Sequence, residues 1–204
     1  METLEHTTIK DIIQDGLANS MSYESYRELM TTLVEQQSTT GPDKTLALAN
    51  YTMLNERRMK RWDKTVKISD SDLTAIQQFN NKVTWLVISE SWCGDAAHVL
   101  PVLKKVADIN PNINLRIALR DDNPELMDEF LTNGGRSIPK LIILDEAHNV
   151  LDTYGPRPST ATEMVMAYKE SHGALTPEFK EDLQRWYNKD KGQTIIADLV
   201  KVLS

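Results

Sequence analysis

The sequence predicts an α/β protein, a mixed β-sheet sandwiched by helices, with an N-terminal helical extension. Three observations predict this class: apolar residues at helical spacing fill the first third, apolar runs typical of strands alternate with amphipathic helices in the middle, and helical patterns return after residue 158. We expect residues 1–64 to form the extension, packed on the core because its apolar stripes need burial. Residues 65–204 are expected to form the core domain with extra C-terminal helices.

Two helical patterns make up the extension. Ser22 is a candidate N-cap for the first, and the second begins at Thr45. Pro42 lies in the interruption between them, where we expect it in the first turn of the second helix because proline is tolerated there. The second pattern ends in a basic cluster, and we interpret it as cations near the negative end of the helix dipole, with a basic ligand-binding patch as the alternative: Arg57, Arg58, Lys60 and Arg61.

The core pattern alternates helices and strands. Ser69 begins a good N-cap region for a helix over residues 73–79. Strands are expected over residues 83–88, 113–119, 141–144 and 150–154, with helices after Cys93 and after Pro124. Strands separated by helices imply parallel pairing, whereas the short connection between the last two strands implies an antiparallel edge. The sheet is therefore predicted to be mixed.

Bulk properties exclude several classes of protein. The net charge of −7 and the pI of about 5.2 argue against nucleic-acid binding, because phosphates require a basic face. No apolar window approaches the roughly 18 residues of a membrane span, and the first ten residues carry no secretory signal pattern. We therefore expect a cytoplasmic protein with neither a membrane nor a nucleic acid as its partner.

The most distinctive chemical group is the only cysteine, Cys93, between a predicted strand and a predicted helix. A lone cysteine is often a small buried hydrophobic residue. At a helix N-terminus, however, a thiol faces unpaired backbone N–H groups and the positive end of the dipole, and both stabilise the reactive thiolate. The position therefore predicts a reactive thiol.

The segment Trp92-Cys93-Gly94, after an apolar strand, resembles the start of the Trp-Cys-Gly-Pro-Cys motif of the thioredoxin superfamily. Pro101 matches the proline that kinks the active-site helix of that family, and residues 136–142 resemble its cis-proline loop. The resemblance covers about residues 65–175. It implies a thioredoxin-like fold with a cis Ile138–Pro139 bond in contact with Cys93. It also implies a binding groove beside Cys93, formed by Trp92, Gly94, Asp95, Ile138 and Pro139.

Three positions depart from the family pattern. The second cysteine of the motif falls on Ala96, its proline on Asp95, and the buried carboxylate that assists proton transfer on Val87. Asp95 would place a carboxylate in the first turn of the helix, next to the thiol. Without a resolving thiol the chain is not predicted to be a dithiol reductase.

Nothing else in the sequence supplies a substitute for the missing groups. His98 lies five residues after Cys93, about 140° around an ideal helix, and is interpreted as an ordinary helix residue rather than as the base for that thiol. No His, Cys or carboxylate cluster has metal-ligand spacing, and we expect no cofactor. Trp92 belongs either to a binding face or to the core.

Two functions remain open. In the first, Cys93 carries out monothiol thiol–disulfide exchange, and an external thiol such as glutathione resolves the mixed disulfide. Its partners would be protein or small-molecule thiols and disulfides. In the second, the chain is a redox-silent binding module in which the groove and the added helices bind a partner and Cys93 is incidental. The reactivity of the thiol distinguishes them.

Overall fold

The computed structural model describes residues 8–203. The extension has one helix more than the two predicted, over residues 9–18, whereas from residue 70 to residue 154 the helices and strands follow the predicted order. The chain forms helices and strands over the whole described range. They are α1 (Ile9–Ala18), α2 (Tyr23–Glu35), α3 (Leu46–Thr65), α4 (Asp70–Gln78), β1 (Val83–Ser89), α5 (Ala96–Ala107), β2 (Ile113–Leu119), α6 (Pro124–Glu129), β3 (Lys140–Leu144), β4 (Val150–Tyr154), α7 (Ser159–His172), α8 (Pro177–Asp190) and α9 (Gln193–Val202).

The four strands form one mixed sheet in the order β2-β1-β3-β4. Strand β1 pairs parallel with β2 and antiparallel with β3, and β3 pairs antiparallel with β4. The mixed sheet flanked by helices confirms the predicted fold class. The helix-separation rule is nevertheless wrong for β3, which follows a helix yet runs antiparallel to β1. Helix α6 has only six residues, about 9 Å, so it does not itself run back along the length of a seven-residue strand, about 23 Å, as a crossover helix does.

The core lies around β1, whose middle residues are fully buried, as expected for a strand covered on both faces: Trp85, Leu86, Val87 and Ile88. Helix α5 follows β1 and buries an apolar stripe, with Pro101 inside the helix. Helix α3 packs against α5, and α9 packs against α4, α5 and α7. The N- and C-terminal helices therefore both reach the helix that follows Cys93.

The segment between α1 and α2 touches the edge of the sheet. The backbone N–H of Met21 donates to the carbonyl of Ile117 at 2.8 Å, and the N–H of Ile117 donates back to the carbonyl of Met21 at 2.8 Å. Residues that precede the predicted core thus pair with strand β2. Among the described residues, no helix is long and apolar enough to cross a membrane.

Two of the helix starts agree with the prediction from the sequence, and one differs. The side chains of Ser22 and Ser69 cap α2 and α4, as predicted. The prediction for Pro42 is wrong: α3 begins at Leu46 with Thr45 as its N-cap, because the Thr45 hydroxyl accepts from a backbone N–H of the first turn. The basic cluster at residues 57–61 also precedes the last turn of α3, so the dipole interpretation does not account for it fully.

Candidate functional site

Cys93 lies in the short turn between β1 and α5. Its backbone N–H donates to the Glu90 carbonyl at 3.1 Å, and its thiol Sγ donates to the Ile138 carbonyl at 3.3 Å. The Ile138–Pro139 bond is cis, which confirms the expectation from the resemblance. The loop before β3 therefore places its backbone directly against the sulfur.

A cavity of about 530 Å³ opens beside the thiol. Five of the six residues predicted for the site line it: Trp92, Cys93, Gly94, Asp95 and Ile138. Pro139 is buried and does not line the cavity. Helix α3 contributes one wall and α8 another, so the added helices enclose the thiol on two sides.

Burial controls the protonation of Cys93, whose residue is 8% exposed. It raises the pKa of the thiol to about 12, and the negative charge of Asp95 adds to the rise. The backbone N–H groups of Ala96 and Asp95 lower the pKa, as does Arg157. The helix end thus acts in the predicted direction, but the prediction of a stabilised thiolate is wrong for the resting protein because desolvation outweighs it.

Asp95 stands at the N-cap of α5, one position before the predicted first turn, and makes no capping hydrogen bond. The side chain turns to the C-terminal part of the chain, where its Oδ1 accepts from the Tyr187 hydroxyl at 2.9 Å and its Oδ2 pairs with Arg157 Nη2 at 2.7 Å. Burial raises the pKa of Asp95, while Arg157 and Tyr187 oppose the rise. These two partners hold the carboxylate close to the thiol.

His98 is a buried link between α5 and α8 rather than an ordinary helix residue. Its Nε2 donates to Gln184 Oε1 at 2.7 Å, and its ring stacks on Tyr187 with centroids 4.2 Å apart. Burial lowers its pKa to about 4, so the ring is neutral at pH 7. Sequence reasoning missed this role because both partners lie in a helix more than eighty residues away.

The segment that precedes Cys93 is held by hydroxyl groups. Ser91 Oγ accepts from the Thr40 backbone N–H at 3.0 Å and lies 2.8 Å from Thr52 Oγ1, and the Ser91 N–H donates to Thr40 Oγ1 at 2.9 Å. The Asn55 side chain donates to the Ser91 carbonyl at 3.0 Å. All four residues are buried, so the N-terminal part of the chain fixes the entrance to the Cys93 turn.

One buried carboxylate was missed from the sequence. Val87, where the family's carboxylate falls, is fully buried and apolar, but Glu90 three residues later is also fully buried. Its Oε1 accepts from the Asp121 N–H at 2.9 Å, and burial raises its pKa. An acidic residue directly after a continuous apolar strand was the available signal.

Cations line the cavity. They are Arg58, Arg120, Arg136, Arg157 and Lys180, whereas Asp95 is the one carboxylate among the described lining residues. Arg120 lies over the Trp92 ring, 4.9 Å from its centroid, so Trp92 belongs to the cavity face. Within residues 8–203, no group of three or more His, Cys, Asp or Glu side chains is placed to hold a metal ion.

Comparison with known proteins supports the fold and names the family. The structure is similar to a crystal structure of a protein of unknown function from Pseudomonas aeruginosa, at a TM-score of 0.59 and 18% identity over 90% of this chain and 97% of that one. An HIV epitope scaffold matches at a TM-score of 0.57 and 17% identity over 90% and 98%. No curated protein matches the sequence. A family model described as thioredoxin matches residues 41–170, more than half of the chain and including α3. The chain belongs to this thioredoxin family.

Proposed function

We propose that the chain carries out thiol–disulfide exchange with a single cysteine, Cys93, and that an external thiol completes the cycle. The observation that carries this proposal is the placement of the Cys93 sulfur, which lines the cavity and lies 3.3 Å from the Ile138 carbonyl. The backbone N–H groups of Asp95 and Ala96 act to stabilise the thiolate once it forms.

The exchange is balanced without a second protein thiol. The Cys93 thiolate attacks one sulfur of a substrate disulfide, the substrate S–S bond breaks, and the departing thiolate takes up a proton from solvent. An external thiol then attacks the mixed disulfide on the substrate sulfur and releases Cys93. The substrate half leaves as a new disulfide, and the protein is neither oxidised nor reduced over the cycle.

Partners of this chemistry are protein or small-molecule disulfides, with glutathione as a suitable external thiol. Such exchange requires a compartment in which free thiols persist, and the cytoplasm is the one we propose. The raised pKa of Cys93 makes the resting protein slow, because only the thiolate attacks.

The test measures mixed-disulfide formation between the protein and oxidised glutathione by intact mass spectrometry from pH 7 to pH 10. We expect one adduct on wild type and none on Cys93→Ser. The rate of adduct formation should rise about tenfold per pH unit, because below the pKa the thiolate fraction increases by that factor. Addition of reduced glutathione should release the adduct. A wild-type rate no higher than that of an unfolded cysteine peptide, at equal thiolate fraction, would contradict the proposal.

A redox-silent binding module is the second candidate, and the burial of the thiol with a pKa of about 12 favours it. In that function the cavity binds a partner and Cys93 only fills space beside Ile138. Partner capture separates the two: Cys93→Ala should retain the partners of a binding module, whereas it should lose those held by an exchange protein through a mixed disulfide.

A further inference from the structure

The charge of the cavity is opposite to that of the chain. The protein carries a net charge of −7, yet five cations line this one cavity. Three of the five already pair with carboxylates at 2.5–2.8 Å: Arg120 with Asp121, Arg136 with Asp128, and Arg157 with Asp95. In the last pair Arg157 also neutralises the charge of Asp95, the only carboxylate among the described lining residues.

Arg58 and Lys180 are different, because neither has a carboxylate partner within the described part of the chain. Arg58 Nη1 donates to Asn55 Oδ1 at 3.0 Å, and that is a neutral acceptor. Arg58 is half-buried, and both burial and the nearby Arg61 lower its pKa. A desolvated cation beside another cation is unfavourable unless an anion joins it.

Donors from two helices meet beside Cys93. A Cβ built on Gly94 would lie 3.8 Å from Arg58 Nη1 and 3.8 Å from Gln184 Nε2, so donors from α3 and α8 flank the residue next to the thiol. Gln184 Oε1 accepts the hydrogen bond from His98, so Gln184 Nε2 is left to donate to another acceptor. The Nε of Arg157, another lining residue, is buried and has no partner among the described residues. A charged donor and a neutral donor therefore meet beside the thiol, and Arg157, which lines the same cavity, has a buried donor without an acceptor.

We propose that this cavity binds a small thiol or disulfide that carries carboxylates, with Arg58 and Lys180 as the cations that bind them and Gln184 as a neutral donor. Its volume of about 530 Å³ lies within the few hundred to about 1,000 Å³ typical of small-molecule sites, and α3 and α8 wall it on two sides. The claim that the ligand is a thiol or disulfide rests on the proposed function, whereas the claim that the cavity binds carboxylates does not.

The first experiment compares the alkylation of Cys93 by iodoacetate and by the neutral iodoacetamide at pH 8.5 and low salt. The thiolate displaces iodide from both reagents, so the ratio of the two rates cancels any change in thiol pKa. We expect the ratio to fall about fivefold in Arg58→Gln/Lys180→Gln, because two cations that line the same cavity as Cys93 and have no carboxylate partner attract the carboxylate reagent. High salt should lower the wild-type ratio in the same direction.

The matched control is Arg57→Gln/Lys189→Gln. It removes the same two charges from the same two helices, at exposed positions that do not line the cavity. We expect its ratio to stay within about twofold of wild type, because these two charges lie outside the cavity that holds the thiol and the Coulomb attraction falls with distance. Equal falls in the two double variants would overturn the proposal, since the effect would then be one of net charge.

The second experiment tests the size of the ligand with S-methylglutathione, a tripeptide thioether with two carboxylates that cannot form a disulfide. It should protect wild-type Cys93 from iodoacetamide saturably and fail to protect Arg58→Gln/Lys180→Gln. Protection by an acidic fifteen-residue peptide and none by S-methylglutathione would overturn the small-ligand assignment. Neither experiment involves exchange, so anion selectivity without mixed-disulfide formation would refute only the proposed function.

Discussion

The N-terminal and C-terminal parts of the chain approach the Cys93 turn from opposite sides and with different chemistry. The N-terminal part supplies hydroxyl groups, and Thr40 and Thr52 hold Ser91 just before the cysteine. The C-terminal part supplies charge and aromatic rings, and Arg157 and Tyr187 hold Asp95 just after it. The hydroxyl groups therefore fix the backbone before the cysteine, whereas Asp95 and Arg157 act on the pKa of the thiol.

This difference separates stability from reactivity in one short segment. Neutral buried hydrogen bonds cost much when broken but exert little field on a neighbouring thiol. A charged group beside a buried thiol shifts its pKa, even where its own contribution to folding is small. Substitution of the hydroxyl groups that hold Ser91 should therefore change stability, whereas substitution of Asp95 should change the pKa of the thiol.

The largest effect should come from removing residues 1–60. The truncation deletes α1, α2 and most of α3, so the face of α5 that α3 covers would be exposed and Ile117 would lose its two backbone hydrogen bonds with Met21. We expect a chain that aggregates or binds a hydrophobic dye, because the lost contacts cover apolar surface. Size-exclusion chromatography and thermal unfolding measure this. A truncated chain that stays monomeric and equally stable would show that the extension is an independent module.

The second prediction tests the hydroxyl side through Ser91→Ala. Loss of the Ser91 hydroxyl leaves the buried N–H of Thr40 without its acceptor, so we expect a loss of about 1–3 kcal/mol in the free energy of unfolding. The pKa of Cys93 should stay close to that of wild type. Denaturant unfolding and the pH profile of iodoacetamide alkylation measure the two quantities.

Ser171→Ala is the control for that variant, because the Ser171 hydroxyl bonds to the Ala167 carbonyl at an exposed site. Its effect on unfolding should be within about 0.5 kcal/mol. A marked shift in the alkylation profile of Ser91→Ala would contradict the separation of the two sides.

The third prediction tests the charged side through Asp95→Asn. The Asp95 charge raises the pKa of Cys93 and Arg157 lowers it, so removing the carboxylate should lower that pKa and speed alkylation at pH 8 by about tenfold. Asp108→Asn, at the other end of α5, removes the same charge far from the thiol and should leave the rate unchanged. An unchanged rate in Asp95→Asn would show that burial alone raises the pKa.

The same variant has a consequence for alkaline stability. The folded thiol keeps its proton to about pH 12, well above the pKa of an unfolded cysteine. The stability from this difference is present below the unfolded pKa and is lost as the pH rises toward 12. In Asp95→Asn the folded pKa is lower, so less stability should be lost over this range.

Local patterns in the sequence were enough to predict the Cys93 junction and the cap at Ser22, because each depends on neighbours along the chain. The cis bond before Pro139 was predicted from the resemblance to the thioredoxin superfamily. The direction of the Cys93 pKa was not predictable in this way. It depends on burial by segments distant in the sequence, and the link through His98 depends on a partner 86 residues away. The basic cluster that contains Arg58 could be identified in the sequence, but the cavity that Arg58 lines could not be predicted from it.

The smallest effect should come from restoring the missing thiol with Ala96→Cys. Ala96 is the first residue of α5 and lies three positions after Cys93, a spacing at which side chains on a helical turn are neighbours. Two such cysteines can meet the geometric requirement of Cα atoms within about 7 Å. We expect the disulfide to form under mild oxidation, and slow dithiol-dependent reduction of a protein disulfide that wild type lacks.

Val99→Cys is the control for this gain. Val99 is as deeply buried as Ala96 but lies six residues after Cys93, outside the three- and four-residue spacings at which helical side chains are neighbours, so a thiol there should not pair with Cys93. The gain in Ala96→Cys should remain small because the Asp95 charge opposes the thiolate and Val87 supplies no proton acceptor. Adding Asp95→Asn to Ala96→Cys should raise the gained activity, since that change lowers the Cys93 pKa. Efficient turnover by wild type without added thiol would contradict the single-cysteine mechanism. A disulfide that forms in Ala96→Cys without any activity would mean that the cavity, and not the missing thiol, limits the chemistry, and the binding-module function would then be the better account.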